Sequence, residues 1–364
     1  VFATPGTFLV DENGEILTTK NIVVATGARP LVPPIPGIED VQALTSDTLW
    51  NIRELPKRLV VVGGGPIGCE LAQTFARFGS EVTILEGMNR LLLKEDIEVS
   101  DAVRTKFEAE GITVLTGHMV EGFKNDDGAK VVHCDCKPKK LNIECDEIIM
   151  ALGRKANVTG FGLEELGVEI RKNGTIEVDD FLRTNYPNIY AVGDVTGPYQ
   201  FTHFAAHQAW YAAVNSLFSP FKKFKTDYRV IPWTTFTDPE VARVEINEQE
   251  AIDEGIDFEV TRYGLDDLDR AIADGEDSGF VKVITPKGKD KILGATIVGS
   301  HAGDLLTEFV LAMKHGLGLN KILGTIHAYP TMSEANKYLA GNWKKAHAPE
   351  ELLNWVEKFH TWRR

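Results

Sequence analysis

Residues 58–86, RLVVVGGGPIGCELAQTFARFGSEVTILE, admit few folds. Leu59, Val60, Val61 and Val62 form an aliphatic run without polar alternation, the pattern of a parallel strand buried on both faces. The run passes straight into Gly63-Gly64-Gly65-Pro66-Ile67-Gly68, a G-x-G-x-x-G at a strand-to-helix turn. Gly63 permits the tight turn, Gly65 lets the backbone approach a pyrophosphate, and Gly68 lets the helix pack closely on the strand. Phosphates then lie at the positive end of the helix. Glu86 closes a second apolar run about 18 residues beyond Gly68, near the spacing of roughly 20 at which an acid accepts a ribose 2′-hydroxyl. A glycine-rich turn alone would say little. Here strand, turn, helix and acid agree, and the stretch reads as a βαβ unit that holds a dinucleotide.

The chain has 364 residues, room for two or three domains, and its 43% hydrophobic and 25% charged residues are those of a globular protein rather than a disordered one. A formal net charge of -14 argues against a nucleic-acid or anionic-membrane partner, because phosphate binding needs a positive field. The basic run at residues 137–140 reads as a solvated turn. No apolar stretch approaches the ~18 residues needed to span a bilayer, and no signal peptide precedes the first strand. The expectation is a soluble protein, cytoplasmic or in an organelle lumen by default. The chain opens at Val1 in the middle of a β-rich pattern and so reads as a fragment, with any targeting segment upstream. Cys69, Cys134, Cys136 and Cys145 show no C-x-x-C spacing, and buried or free thiols are expected. His133 with Cys134, Cys136 and Cys145 is the nearest approach to a ligand set, but no metal site is assigned.

Residues 1–19 read as a β-hairpin about Asp11-Glu12-Asn13-Gly14. Residues 21–27, NIVVATG, follow as a buried strand ending in Ala25-Thr26-Gly27, and Pro33, Pro34 and Pro36 enforce an extended connector. A strand of the same kind at 147–153, EIIMALG, runs into Arg154 and Asn157. These two strands bracket the βαβ unit, so one domain is expected to be interrupted by another. Inside the insertion a helix is expected at 97–110, a strand at 111–116, and a hairpin at 120–143 about Asn125-Asp126-Asp127-Gly128. Ile189-Tyr190-Ala191-Val192-Gly193-Asp194 then brings an aspartate to the carboxyl end of an apolar strand, where ligands of open α/β sheets bind. The bland alternative is an N-cap for a helix over 201–218. Beyond about Tyr228, strands at 233–237, 242–245, 258–263, 280–285 and 291–298 and helices at 302–315 and 333–339 make a separate α+β domain. Between those helices lies His327-Ala328-Tyr329-Pro330-Thr331-Met332-Ser333-Glu334. The tail, 349–360, sets Leu352, Trp355, Val356, Phe359 and Trp362 along one helical face, expected to dock on its own domain rather than on a membrane or a partner.

These residues together resemble the pyridine-nucleotide disulfide oxidoreductases, the flavoenzymes that include glutathione reductase, lipoamide dehydrogenase and mercuric reductase. The resemblance covers essentially the whole chain. It implies an α/β fold with a partial FAD domain over 1–45 and 147–222, an inserted Rossmann-type NAD(P)-binding domain over 46–146, an α+β dimerisation domain over 226–345, and a C-terminal amphipathic helix over 346–364. Thr26 and Gly27 resemble the A-T-G of the FAD domain, and Gly153 and Arg154 its second crossover. Gly193-Asp194 resembles the G-D that holds the flavin ribitol, with Thr202 to Ala205 beside it. Glu70 matches the acid that pairs with a lysine near flavin N5, and Thr237-Asp238-Pro239-Glu240 the opening of the dimerisation domain. Where glutathione reductase and lipoamide dehydrogenase have a histidine before Pro-Thr, paired to a glutamate, this chain has Tyr329 and then Glu334. Mercuric reductases also carry tyrosine there, which points to that branch. Their paired C-terminal cysteines are missing from the tail Thr361-Trp362-Arg363-Arg364.

The implied chemistry is hydride transfer from NAD(P)H to FAD and on to a disulfide, dithiol or metal-ion acceptor in a homodimer. Gly63, Gly65, Gly68 and Glu86 would hold the nicotinamide nucleotide, and Tyr329, Glu334 and Glu70 would be catalytic. A phenol with reference pKa near 10 is a poorer acid than imidazole near 6.5, so Tyr329 suits a hydrogen-bond donor or a metal-ion contact; its bland alternative is interface packing. His327 is a rival acid, more often a satisfied structural histidine. NADH is favoured over NADPH because Glu86 repels a 2′-phosphate, although Arg90 would offer that phosphate a partner if its loop folded back. In the family, the first FAD G-x-G-x-x-G and the redox C-x-x-x-x-C lie upstream of the A-T-G, so this stretch alone is expected to be inactive. Two other readings stay open: a dithiol-free FAD/NAD(P)H oxidoreductase with another acceptor, and a non-catalytic nucleotide-binding scaffold.

Overall fold

A computed structural model of the chain describes residues 2–4, 7–9, 16–126, 128–135 and 140–363, which fall into two compact units. The first comprises Val1–Arg53 and Ile149–Tyr228, the second Glu54–Ile148 and Arg229–Arg364. The architecture is α/β.

In the first unit the apolar strand Ile22–Val24 runs parallel to Ile189–Ala191, with Val24 opposite Ala191. Ile22, Val24, Ile189 and Ala191 join Leu163, Val168, Ile176 and Val195 in a buried cluster, while Val23, on the other face of a strand expected to be buried, is exposed. A second, antiparallel pair joins Ala28–Pro30 to Arg154–Ala156. The helix Thr202–Phe218 buries Phe204, Gln208, Ala212 and Asn215, a stripe at helical spacing. Phe2–Thr4, Thr7–Leu9 and Ile16–Thr18 make a three-stranded antiparallel sheet where a two-stranded hairpin was expected. The expected turn at Asp11-Glu12-Asn13-Gly14 lies outside the described residues.

A four-stranded sheet runs in the order Glu147–Met150, Arg58–Val62, Glu81–Glu86, Thr113–Thr116; its last three strands lie in the second unit, and the first, expected with the interrupted domain, pairs with them. The last three strands are parallel, and Leu59 to Val62 are buried throughout, as a central strand requires. The helices Pro66–Phe78 and Ile97–Ala109 connect them. The hairpin Met119–Asp126 with Ala129–Asp135 gains a third strand, Lys140–Cys145, beyond what its sequence pattern suggested. Asp127 of its turn, Cys136, and residues 137–139 of the basic run lie outside the described residues. Cys134 and Cys145 are buried, while His133 bonds Asn142 across the ladder.

The same unit holds a five-stranded antiparallel sheet, ordered Pro232–Thr235, Glu240–Glu245, Gly294–Gly299, Phe280–Pro286, Phe258–Gly264. Ala302–Lys314 and Glu334–Ala346 cover it and complete a core that includes Leu306, Phe309 and Leu339. Gly294 is required there, because a Cβ would stand 1.9 Å from the Ile246 carbonyl oxygen. The helix from Glu334 runs on to Ala346, past the expected end at 339, because Trp343 extends its buried face. Three short helices, Glu248–Asp253, Asp269–Asp274 and Leu319–Leu323, lack the length for a periodic signal. The first does carry a readable capping box, Asn247 with Glu250.

The tail corrects an expectation. Its helix, Glu350–Trp362, forms, but the apolar face does not dock on the domain: Trp355 stays 61% and Trp362 82% exposed. Trp355, Phe359 and Trp362 instead pack on one another along the helix, with ring centroids 5.7 and 6.3 Å apart. Among the described residues no helix is long and apolar enough to cross a membrane.

Candidate functional site

The turn after Arg58–Val62 has the geometry of a phosphate cradle. Gly63 adopts φ 114°, forbidden in practice to a side chain, and its N–H donates to the Leu85 carbonyl at 2.8 Å. Gly65 caps the helix Pro66–Phe78, and a Cβ added to it would meet no protein atom within 4 Å. Open space therefore adjoins the backbone at the positive end of the helix, where a dinucleotide pyrophosphate fits. Gly64 is glycine for another reason: a Cβ would lie 2.6 Å from Leu91 Cδ2 and 3.1 Å from Glu86 Oε2. Gly68 is buried within the helix.

Glu86 ends its strand beside this turn. Its Oε2 accepts from the Gly64 N–H and its Oε1 from the Met88 N–H, both at 2.7 Å. Each oxygen keeps a lone pair, so the fixed carboxylate can still accept from ribose hydroxyls. Arg90 does not fold back toward this end. Its Nη2 donates to the carbonyls of Leu93 and Glu95 at 3.0 and 3.3 Å.

Glu70 projects from the helix Pro66–Phe78, and its Oε1 accepts from the Phe236 N–H at 2.8 Å. Burial pushes its carboxyl above the ordinary range, opposed by that hydrogen bond. Gln73, one turn on, brackets Asp238, accepting from its N–H and donating to its carbonyl, each at 2.7 Å. The Thr237-Asp238-Pro239-Glu240 segment is thus tied to the helix Pro66–Phe78.

In the first unit, the two crossovers expected near a flavin meet. Asn157 fastens them: its N–H donates to the Gly27 carbonyl, its Nδ2 to the Thr26 carbonyl, and its carbonyl accepts from the Thr26 hydroxyl at 2.7 Å. Gly27 and Gly153 both have positive φ, and neither has protein within 4 Å of a Cβ position, so both border open space. Asp194 follows the strand Ile189–Ala191, and its Oδ2 lies 3.5 Å from Arg154 Nε, while Arg154 Nη2 donates to the Ala28 carbonyl at 2.6 Å. Asp194 is not the cap of the helix Thr202–Phe218, whose N-cap is Phe201. Gly193 packs against that helix instead, with a Cβ position 3.2 Å from Ala205 Cβ, and Thr202 opens its first turn. The open backbone at Gly27 and Gly153, with one carboxylate beside them, suits the ribityl end of a flavin.

Sequence reasoning missed Gln208. Its Oε1 accepts from the Gly193 N–H at 2.6 Å, and its Nε2 donates to the hydroxyls of Thr196 and Tyr228 at 3.2 and 3.0 Å. The available signal was a glutamine on the buried stripe of an alanine-rich helix.

Tyr329 and Glu334 are not hydrogen-bonded to each other. The Tyr329 hydroxyl donates to Asp269 Oδ2 at 2.9 Å, and that carboxylate pushes the phenol above its ordinary range; the residue is 68% exposed. Glu334 is buried, accepting from the Tyr338 hydroxyl and the Thr331 N–H at 3.2 and 3.3 Å. His327 is held between the Thr325 carbonyl at Nδ1 and the Glu308 carboxylate at Nε2, 3.1 and 3.0 Å away. Asn336 donates to the same carboxylate at 2.9 Å.

Residues 2–209 match the family model of pyridine nucleotide-disulphide oxidoreductases, and residues 231–340 match that of their dimerisation domain. The chain is 37% identical over 328 residues to a mercuric reductase of Bacillus cereus, covering 90% of this chain and 52% of that protein. It is 35% identical over 335 residues to a dihydrolipoyl dehydrogenase of Chlamydia muridarum, covering 90% and 69%. The HOCl-induced flavoprotein disulfide reductase RclA from Escherichia coli superposes with a TM-score of 0.85 at 30% identity, over 93% of this chain and 77% of that one. The chain spans 52 to 60% of the length of the mercuric reductases it matches.

Proposed function

Because the chain belongs to the pyridine nucleotide-disulphide oxidoreductase family, we propose that it forms the nicotinamide-nucleotide, dimerisation and part of the flavin machinery of an FAD-dependent oxidoreductase. The observation that carries this is the Gly63–Glu86 site, a fixed carboxylate one hydrogen bond from a glycine turn whose Gly65 borders open space. Gly63, Gly65 and Gly68 shape the phosphate end, and Glu86 accepts from the ribose. NADH is the preferred donor, since a 2′-phosphate would meet the Glu86 carboxylate while Arg90 is committed elsewhere.

A bound flavin would supply hydride acceptance and electron storage. Around it this chain contributes Thr26, Gly27, Gly153 and Arg154 at the crossovers, Gly193 and Asp194 at the strand end, and Thr202 and Ala205 on the helix. Glu70 lies where a carboxylate would bias charge near the reacting ring. In a homodimer, Tyr329 presents its hydroxyl to the acceptor or to a metal ion, giving up the hydrogen bond it donates to Asp269, while Glu334 holds Tyr338 and the Thr331 N–H beside it.

The acceptor is a metal ion or a disulfide. Similarity to mercuric reductases, and to a flavoprotein solved as a Cu(II) complex, favours the first; similarity to dihydrolipoyl dehydrogenases favours the second. Calorimetric titration of the 364-residue chain with NADH and NADPH tests the donor site. Saturable binding, tighter for NADH, is expected, and heat indistinguishable from dilution for both nucleotides would refute the assignment.

A further inference from the structure

Residues 87–96 follow Glu86 and decide which groups face the ribose end of the site. Their near side is built into the glycine turn: the Leu92 N–H donates to the Gly64 carbonyl at 2.8 Å, and Leu91 fills the space a side chain at Gly64 would need. Their far side is clasped by the five-stranded sheet of the same compact unit. Arg243, buried on Glu240–Glu245, donates through Nη1 to the Lys94 carbonyl at 3.0 Å, with its guanidinium 4.3 Å over the Trp233 ring. Trp233 Nε1 donates to Glu95 Oε1, and Asn247 Nδ2 to the Lys94 carbonyl, at 3.0 and 2.9 Å. Lys282, only 2% exposed on Phe280–Pro286, places Nζ 2.6 Å from Asp96 Oδ2, 2.6 Å from Glu98 Oε1 and 2.8 Å from Glu248 Oε1.

A buried lysine inside three carboxylates is not an incidental surface pair. Removing it leaves Asp96, 7% exposed, without a compensating charge, while Glu98 and Glu248 still reach solvent and Glu98 keeps Arg262 at 3.7 Å, so it is the Lys282–Asp96 contact that is strongly held. That arrangement has one consequence at the nucleotide end. With Lys94 to Asp96 fixed, the carbonyls of Leu93 and Glu95 stand where they capture the Arg90 guanidinium and keep it off the ribose.

We propose that Arg243 and Lys282 are positioning residues for the nucleotide site, holding residues 87–96 so that Glu86 alone addresses the ribose and Arg90 is withheld from a 2′-phosphate. This rests on reading Gly63–Glu86 as the nicotinamide-nucleotide site. The dimerisation sheet thereby sets the preference for NADH over NADPH, from residues that do not touch either nucleotide.

The test compares Kd for NADPH and NADH, by calorimetry, in the full 364-residue chain and in Lys282→Met and Asp96→Asn. Release of the segment frees Arg90 for a charge-assisted hydrogen bond to the 2′-phosphate, so the ratio Kd(NADPH)/Kd(NADH) should fall roughly tenfold. Lys282→Arg should keep the ratio of the unaltered chain, and adding Arg90→Ala to Lys282→Met should restore it. Asp96→Asn keeps the measurement available if Lys282→Met does not fold. A lowered melting temperature with an unmoved ratio would overturn the proposal and leave the site reading standing. Binding of neither nucleotide to the unaltered chain would instead remove the site reading and this inference together.

Discussion

Gly65→Ala separates a glycine kept for a ligand from one kept for packing. The added Cβ meets no protein atom within 4 Å, and the native φ of −77° and ψ of −178° suit alanine. Alanine is a poorer helix N-cap than glycine by somewhat under about 1 kcal/mol. Restricting the unfolded chain returns about 0.4–1 kcal/mol, so stability should change by no more than about 0.5 kcal/mol. Binding should respond quite differently. The methyl group occupies the space where the pyrophosphate would approach the Gly65 and Ile67 N–H groups, Pro66 having none to offer, and one or two charge-assisted hydrogen bonds of about 1.5–3 kcal/mol are lengthened or lost. Kd for NADH should rise roughly 10- to 100-fold. Gly64→Ala is the contrast: its Cβ would stand 2.6 Å from Leu91 Cδ2, an overpacking that costs about 1–3 kcal/mol and lowers the urea midpoint. Calorimetry and urea unfolding of both variants make the assay. An unchanged Kd in Gly65→Ala would show that no phosphate rests on this turn, whatever its sequence.

Other consequences are as direct. Tyr329→Phe keeps the ring and removes the hydroxyl on Asp269, so melting should hold steady; in the flavin-loaded protein, stopped-flow should show slower oxidation by acceptor, up to about 10²-fold or more, with reduction by NADH unaltered. Equal slowing of both half-reactions would assign Tyr329 to the fold. Hydrogen bonds from the Arg58 N–H and guanidinium hold the Asp146 carboxyl below its ordinary range. Because the folded pKa is the lower one, the stability this contributes is present above the unfolded value near 3.9 and is lost as pH falls through the folded value. Asp146→Asn should therefore flatten the acid limb of a melting-temperature profile below about pH 4, and an unchanged limb would discount the pair. Deleting residues 350–364 should leave the urea midpoint where it is, since Trp355 and Trp362 are exposed; a clear loss would mean the helix is covered.

Local sequence was enough to find the βαβ unit and the turn at Gly63, whereas the reason for glycine at Gly64, the closeness of Leu91, was not readable from it. An uninterrupted aliphatic run fixes a buried strand, and only glycine tolerates the φ of 114° at Gly63, so both are written where they act. Gly27 and Gly153, placed by their resemblance to family motifs, do take the positive φ that glycine allows. What sequence left open was which side chains meet. Tyr329 was expected beside Glu334, yet its hydroxyl lies on Asp269, 60 positions away, because the helix Glu334–Ala346 turns Glu334 inward toward Tyr338. Gln208 carries no local motif and is recognisable only once its helix lies against Gly193. The direction of Arg90 was undecidable from the residues around it. It depends on carbonyls fixed by Arg243 and Lys282, and Lys282 reaches Asp96 across 186 positions only after the five-stranded sheet has settled its register. Backbone preference is set within a few residues and can be read along the chain; side-chain pairing is set by which strands lie adjacent, and only the tertiary structure decides that.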